Sequence, residues 1–168
     1  AMSSGLPDID GIPLPWQTDA WQQLCESLTD GKLPHALLLS GVAGTGKQLF
    51  AHAFARLALC RQPKADRACA SCPACHQFRA GTHPDYFAVR VLQERTAIGV
   101  EQIRALSASL ALTSRQGGRK FALLAPADAM QAAAANSLLK TLEEPPADTF
   151  LLLVTAHSAR LPATIRSR

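Results

Sequence analysis

Gly41-Val42-Ala43-Gly44-Thr45-Gly46-Lys47-Gln48 decides how this chain is read. Closely spaced glycines let successive backbone N–H groups crowd a phosphate without interference from Cβ atoms. A lysine then neutralises the outer phosphates, and a following Ser or Thr ligates Mg²⁺. Gly41, Gly44, Thr45, Gly46 and Lys47 meet that pattern as candidate nucleotide-binding residues, but Gln48 stands where the hydroxyl belongs. Its longer arm would set an amide oxygen differently at a metal that demands near-octahedral geometry. The cradle is present and the metal clamp is altered.

The flanks give the loop a setting. Ala36–Leu39 is a short apolar run that reads as a buried strand, and Lys47–Leu59 reads as a helix with apolar positions at helical spacing. Strand, glycine turn and helix N-terminus together make an anion site. A hydrolase also needs an acidic pair at the end of a later strand, to hold Mg²⁺ and polarise water. The next strong strand, Lys120–Leu124, runs into Ala125 and Pro126, which can do neither, and Asp128 comes only afterwards, on the way into the next helix. The pattern is that of an ATPase fold without hydrolysis.

A chain of 168 residues, 48% hydrophobic and 18% charged, has room for one packed domain with a small insertion. No apolar run has the length of a membrane span and the N-terminus lacks a signal-peptide pattern, so a cytoplasmic location is expected. A net charge of +4 tolerates an anionic partner without demanding one. Basic residues gather at Arg56–Arg67 and Arg115–Lys120, but aromatics are only 5% of the chain, too few for stacking on single strands.

Cys60, Cys69, Cys72 and Cys75 form a C-x8-C-x2-C-x2-C cluster. Without secretion signals, this spacing reads as a metal site rather than a disulfide framework. Zinc takes four thiolates tetrahedrally, and a C-x2-C turn delivers two to one ion, so structural Zn²⁺ is expected. The tight run also fits iron–sulfur ligation, which colour would separate. Pro63 and Pro73 suit non-helical turns between ligands, and His76 is a substitute ligand that a complete four-cysteine shell does not need. Cys25 falls within a helical pattern and reads as a small core residue.

Residues 1–13 read as an N-terminal arm. Trp16–Thr29, Val100–Leu112 and Ala129–Leu142 read as helices, and Tyr86–Leu92 and Phe150–Thr155 as strands. Such alternation predicts an α/β fold, a parallel sheet with helices on both faces. Leu138, Leu139 and Leu142 read as core. Glu143 and Glu144, at a helix end against two prolines, suit a cap or a partner contact. His83 and Asp85 have no nucleophile beside them and read as loop-shaping.

Asn136-Ser-Leu-Leu-Lys-Thr-Leu-Glu-Glu-Pro-Pro146 resembles the signature helix of bacterial clamp-loader subunits of the AAA+ family. Leu33-Pro-His-Ala-Leu-Leu-Leu-Ser40, the four cysteines, Gly81-Thr-His-Pro-Asp85 and Ser167-Arg168 extend the resemblance over nearly the whole chain from Leu14. It implies a RecA-like P-loop domain over 14–168 with a zinc module inserted at 60–80. The family's helical lid and C-terminal collar have no counterpart in the sequence, which suggests an N-terminal fragment.

The altered loop and acidic pair resemble the family's non-hydrolysing branch. That branch sits with gamma/tau and delta subunits in a hetero-pentameric ring, part of a DNA-directed DNA polymerase holoenzyme. The ring opens the sliding clamp and loads it on primed DNA. Ser167-Arg168 matches two residues of the family's Ser-Arg-Cys motif, which implies Arg168 as an arginine finger acting in trans on a neighbour's ATP. Thr155 matches the first sensor position, where a purely structural role fits equally well. Two rival functions remain: an active gamma/tau-type ATPase, opposed by Gln48, Ala125 and Pro126, and a zinc-dependent nucleic-acid-binding module, opposed by modest charge and few aromatics.

Overall fold

All five residues of Lys120–Leu124 (β3) are buried, as a strand covered on both faces must be. The computed structural model describes residues 18–40, 47–60, 63, 68–69, 71–92, 95–112, 118–157 and 161. Within it β3 joins Ala36–Ser40 (β1), Tyr86–Val89 (β2) and Thr149–Thr155 (β4). The four strands are parallel and lie side by side in the order β1-β4-β3-β2.

Strand alternation sends successive side chains to opposite faces and so builds two cores. Phe121, Leu123, Leu152 and Val154 face one cluster, with Trp21, Phe50, Phe54 and Phe78. Its helices are α1 (Thr18–Thr29), α2 (Lys47–Leu59) and α3 (Pro73–Ala80). Ala122, Leu124, Leu151 and Leu153 face the other, with Ile103, Leu106, Leu110 and Leu138 from α4 (Val100–Ala111) and α5 (Ala132–Glu143). Trp21 meets Phe50 and Phe54 edge-on, with ring centroids 5.5 and 6.0 Å apart. The sheet with helices on both faces is the expected fold.

Several boundaries differ from the sequence reading, each for a local reason. β2 ends at Val89 and not at Leu92, because the N–H of Ala125 bonding to the Val89 carbonyl is its last rung, and Leu92 is 51% exposed. α5 begins at Ala132 and not at Ala129. Ala127–Ala129 is a 3₁₀ turn, and residues 129–131 exchange backbone bonds with Ile98, which holds them extended. Pro73 starts a helix where a non-helical turn was expected. As its first residue the ring forfeits no hydrogen bond. Gly81 stops that helix in the left-handed region, φ 78°, with its N–H returned to the Gln77 and Phe78 carbonyls. Arg56 is only 9% exposed, so it adds nothing to a surface basic patch. The buried Lys120 ammonium donates to the carbonyls of Leu110 and Leu112 and caps the C-terminal turn of α4.

Candidate functional site

In an open parallel sheet, ligands bind outside the carboxyl ends of the strands. Here Ser40 and Thr155 are register partners at that edge, so β4 ends beside the strand that enters the glycine loop. Gly41, Gly44, Thr45 and Gly46 lie outside the described residues. Lys47 is the first residue of α2 and half-buried, and Gln48 is exposed. At the end of β3 stand Ala125, 5% exposed, and the exposed Pro126. No carboxylate occupies either position of the expected acidic pair.

Asp128 is nearby after all. The 3₁₀ turn after Pro126 swings its carboxylate back to β4, where Oδ1 accepts the Thr155 hydroxyl at 2.5 Å. Thr155 Oγ1 in turn accepts the backbone N–H of His157 at 3.0 Å. Sequence reading passed over this pair because the contact spans 27 positions and depends on where the 3₁₀ turn ends.

The other end of α2 carries the cysteines. The four Sγ atoms of Cys60, Cys69, Cys72 and Cys75 all lie within 4.8 Å of one another, a set able to hold a metal ion. Cys60 Sγ is 3.5 Å from that of Cys69 and 3.9 Å from that of Cys72, far beyond a disulfide. A tetrahedron with zinc–sulfur bonds of about 2.3 Å has sulfur–sulfur edges of about 3.8 Å. Backbone donors already point at the sulfurs: Ser71 and Cys72 N–H reach Cys69 Sγ at 3.5 and 3.3 Å, and Cys69 N–H reaches Cys60 Sγ at 3.3 Å. The bond from Ser71 does most to pull the Cys69 thiol down from 9.0 to about 5, toward the thiolate that a metal takes. His76, one residue past Cys75, stands outside this cluster.

α2 separates the two places. Its 13 residues span about 20 Å at 1.5 Å per residue. A metal at Cys60 would therefore be remote from a phosphate at Lys47. The cysteines form a small cluster of their own with Ala68 and Ala74. α3, however, also sends Phe78, 1% exposed, into the main core against Tyr86, ring centroids 4.5 Å apart.

Beside that contact, His83 Nδ1 accepts the backbone N–H of Asp85 at 3.1 Å, and the Asp85 carbonyl accepts from Phe121 at 2.9 Å. The pair shapes the loop that enters β2. Arg168 lies outside the described residues, as do residues 1–13, where an arm was expected.

Comparison with known proteins adds family to geometry. The family model described as "DNA polymerase III, delta subunit" matches residues 16–168. The chain belongs to that family. It is 46% identical to the DNA polymerase III subunit delta' of Pseudomonas aeruginosa and 39% identical to that of Escherichia coli K12, each over 92% of this chain. It spans about half the length of these relatives, 46% in both cases. Among solved structures it resembles a DNA polymerase III gamma-subunit-related protein from Thermotoga maritima, TM-score 0.62 at 21% identity. That likeness covers 88% of this chain and 43% of the other, and it supports the AAA+ clamp-loader-type fold. No helix among the described residues is long and apolar enough to cross a membrane.

Proposed function

We propose that this chain is the first domain of a delta' subunit that does not hydrolyse ATP. In this reading it works as a fixed member of a clamp-loader ring with gamma/tau and delta subunits, and through the ring it helps place a sliding clamp on primed DNA. The observation that carries the reading is the end of β3. Ala125 and Pro126 stand where Mg²⁺ and the attacking water would need carboxylates, and Gln48 weakens the metal site a second time. The residues at 41–47 then keep a phosphate-binding sequence without catalysis, and whatever nucleotide they hold is not turned over.

The subunit's chemical contribution is carried by Arg168. Its planar fork would stabilise charge on the phosphoryl group of a neighbour's ATP. Cys60, Cys69, Cys72 and Cys75 would hold one structural Zn²⁺, which cross-links the insertion and lowers the formal net charge from +4 to about +2. On this reading the domain begins at about residue 14, and the relatives' greater length leaves room for lid and collar domains beyond it.

The test is phosphate release by the protein alone with ATP and Mg²⁺. Turnover at background level is expected, including after Gln48→Ser, which restores the hydroxyl but no carboxylate. Release by the wild type that disappears with Lys47→Ala would overturn the reading in favour of an active ATPase.

A further inference from the structure

We propose that the four-cysteine cluster is a redox-sensitive latch, in which a peroxide joins Cys60 to Cys69 as a disulfide and expels the metal. The inference rests on the reading of the cluster as a zinc site. Its four thiols are not equivalent. Cys60 and Cys69 are partly exposed, whereas Cys72 and Cys75 are buried, 6% and 3% exposed. Cys60 and Cys69 Sγ are already in contact at 3.5 Å, nearer than Cys60 is to Cys72 at 3.9 Å. Closing that contact to a disulfide takes a movement of about 1.5 Å. Cys72 and Cys75 instead belong to α3, the first as its N-cap and the second in its first turn.

The step balances with a peroxide as oxidant. Cys69 Sγ accepts the N–H of the exposed Ser71 at 3.5 Å, which places it on the solvent side of the cluster. Its thiolate attacks one peroxide oxygen and breaks the O–O bond, leaving a sulfenic acid and a hydroxide. The Cys60 thiolate then attacks that sulfur. The S–S bond forms, and the S–O bond breaks with loss of a second hydroxide. Two sulfurs thus give up the two electrons that reduce the peroxide. Only the two thiolates of α3 remain where zinc takes four donors, and the metal leaves. The disulfide keeps the end of α2 tied to the insertion, while α3 is left held by Phe78 against Tyr86.

The test uses the whole chain, reduced and zinc-loaded, with its metal counted by elemental analysis before hydrogen peroxide is added. Zinc release is followed with a chromogenic chelator, and disulfides are mapped in alkylated peptides without reduction. About one Zn²⁺ should be lost per chain as two thiols disappear. Cys60 and Cys69 should be recovered as the linked pair, with Cys72 and Cys75 alkylated. Dithiothreitol with added Zn²⁺ should restore the starting zinc content. Cys25→Ser removes the thiol outside the cluster and should release zinc at the wild-type rate. A Cys72–Cys75 disulfide, sulfinic acid without a disulfide, zinc retained under peroxide, or release that needs Cys25 would overturn the proposal. Reduced, folded protein that holds no zinc overturns the zinc reading itself, and that result is in hand before any oxidant is added.

Discussion

The Tyr86 hydroxyl lies 2.5 Å from Nδ1 of His52, tying the middle of α2 to the first residue of β2. Burial raises the phenol far above its usual range, so Tyr86 keeps its proton, and the direction of the bond follows the His52 tautomer. Burial, with the Arg90 charge adding to it, pulls the imidazole from 6.5 down to about 4. Between those values the unfolded chain binds a proton that the folded chain refuses. His52 therefore contributes its full stability above about pH 6.5 and loses it as pH falls toward 4, a change on the order of 3 kcal/mol. Denaturation midpoints between pH 7 and 4.5 should fall steeply in the wild type and less steeply in His52→Asn, which keeps a hydrogen-bonding partner for Tyr86 but does not titrate. Parallel slopes would remove His52 from the acid response.

Phe78 connects the insertion to the sheet. Phe78→Ala should destabilise the whole domain by about 3–5 kcal/mol, read as a shift in urea midpoint, because the ring is buried against Tyr86 in the main core. A loss confined to the cysteine segment would show that α3 is an appendage.

One Zn²⁺ per chain is expected by elemental analysis of colourless protein. Cys72→Ser should abolish or weaken zinc retention and raise protease cleavage near the cysteines, while far-UV dichroism of the sheet domain survives. Iron, or no metal in a folded protein, contradicts the zinc assignment. Global unfolding of the variant would mean that the metal supports the sheet through α3.

Much of this was legible in the sequence because it is periodic or local. The buried run Lys120–Leu124 and the helical stripes of α4 and α5 record burial residue by residue, and four cysteines at short spacing announce a cluster able to hold a metal ion. What stayed hidden depends on tertiary placement. Pro73 opens a helix because its missing N–H costs nothing at the first position, which spacing alone does not reveal. Asp128 meets Thr155 only because Ile98 holds residues 129–131 extended and delays α5. His52 and Arg56 look like surface charge on a helix, yet both are buried, since α2 is covered all round by α1, α3 and the sheet.

On the proposed function, the ATP this subunit acts on is its neighbour's and not its own. The direct measurement is steady-state phosphate release by an assembled clamp loader containing the full-length subunit, with clamp and primed DNA present. Wild type, Lys47→Ala, Arg168→Ala and Arg168→Lys are compared at equal assembly. Arginine fingers contribute on the order of 10³–10⁵ in simple GTPases, and a smaller slowing is expected in a ring where only one of several ATP sites faces this subunit. Lys47→Ala should leave the rate unchanged. Arg168→Ala should slow it, and Arg168→Lys should rescue poorly, because a point charge does not reproduce the planar fork. A rate that falls with Lys47→Ala and is indifferent to both Arg168 variants would contradict the account.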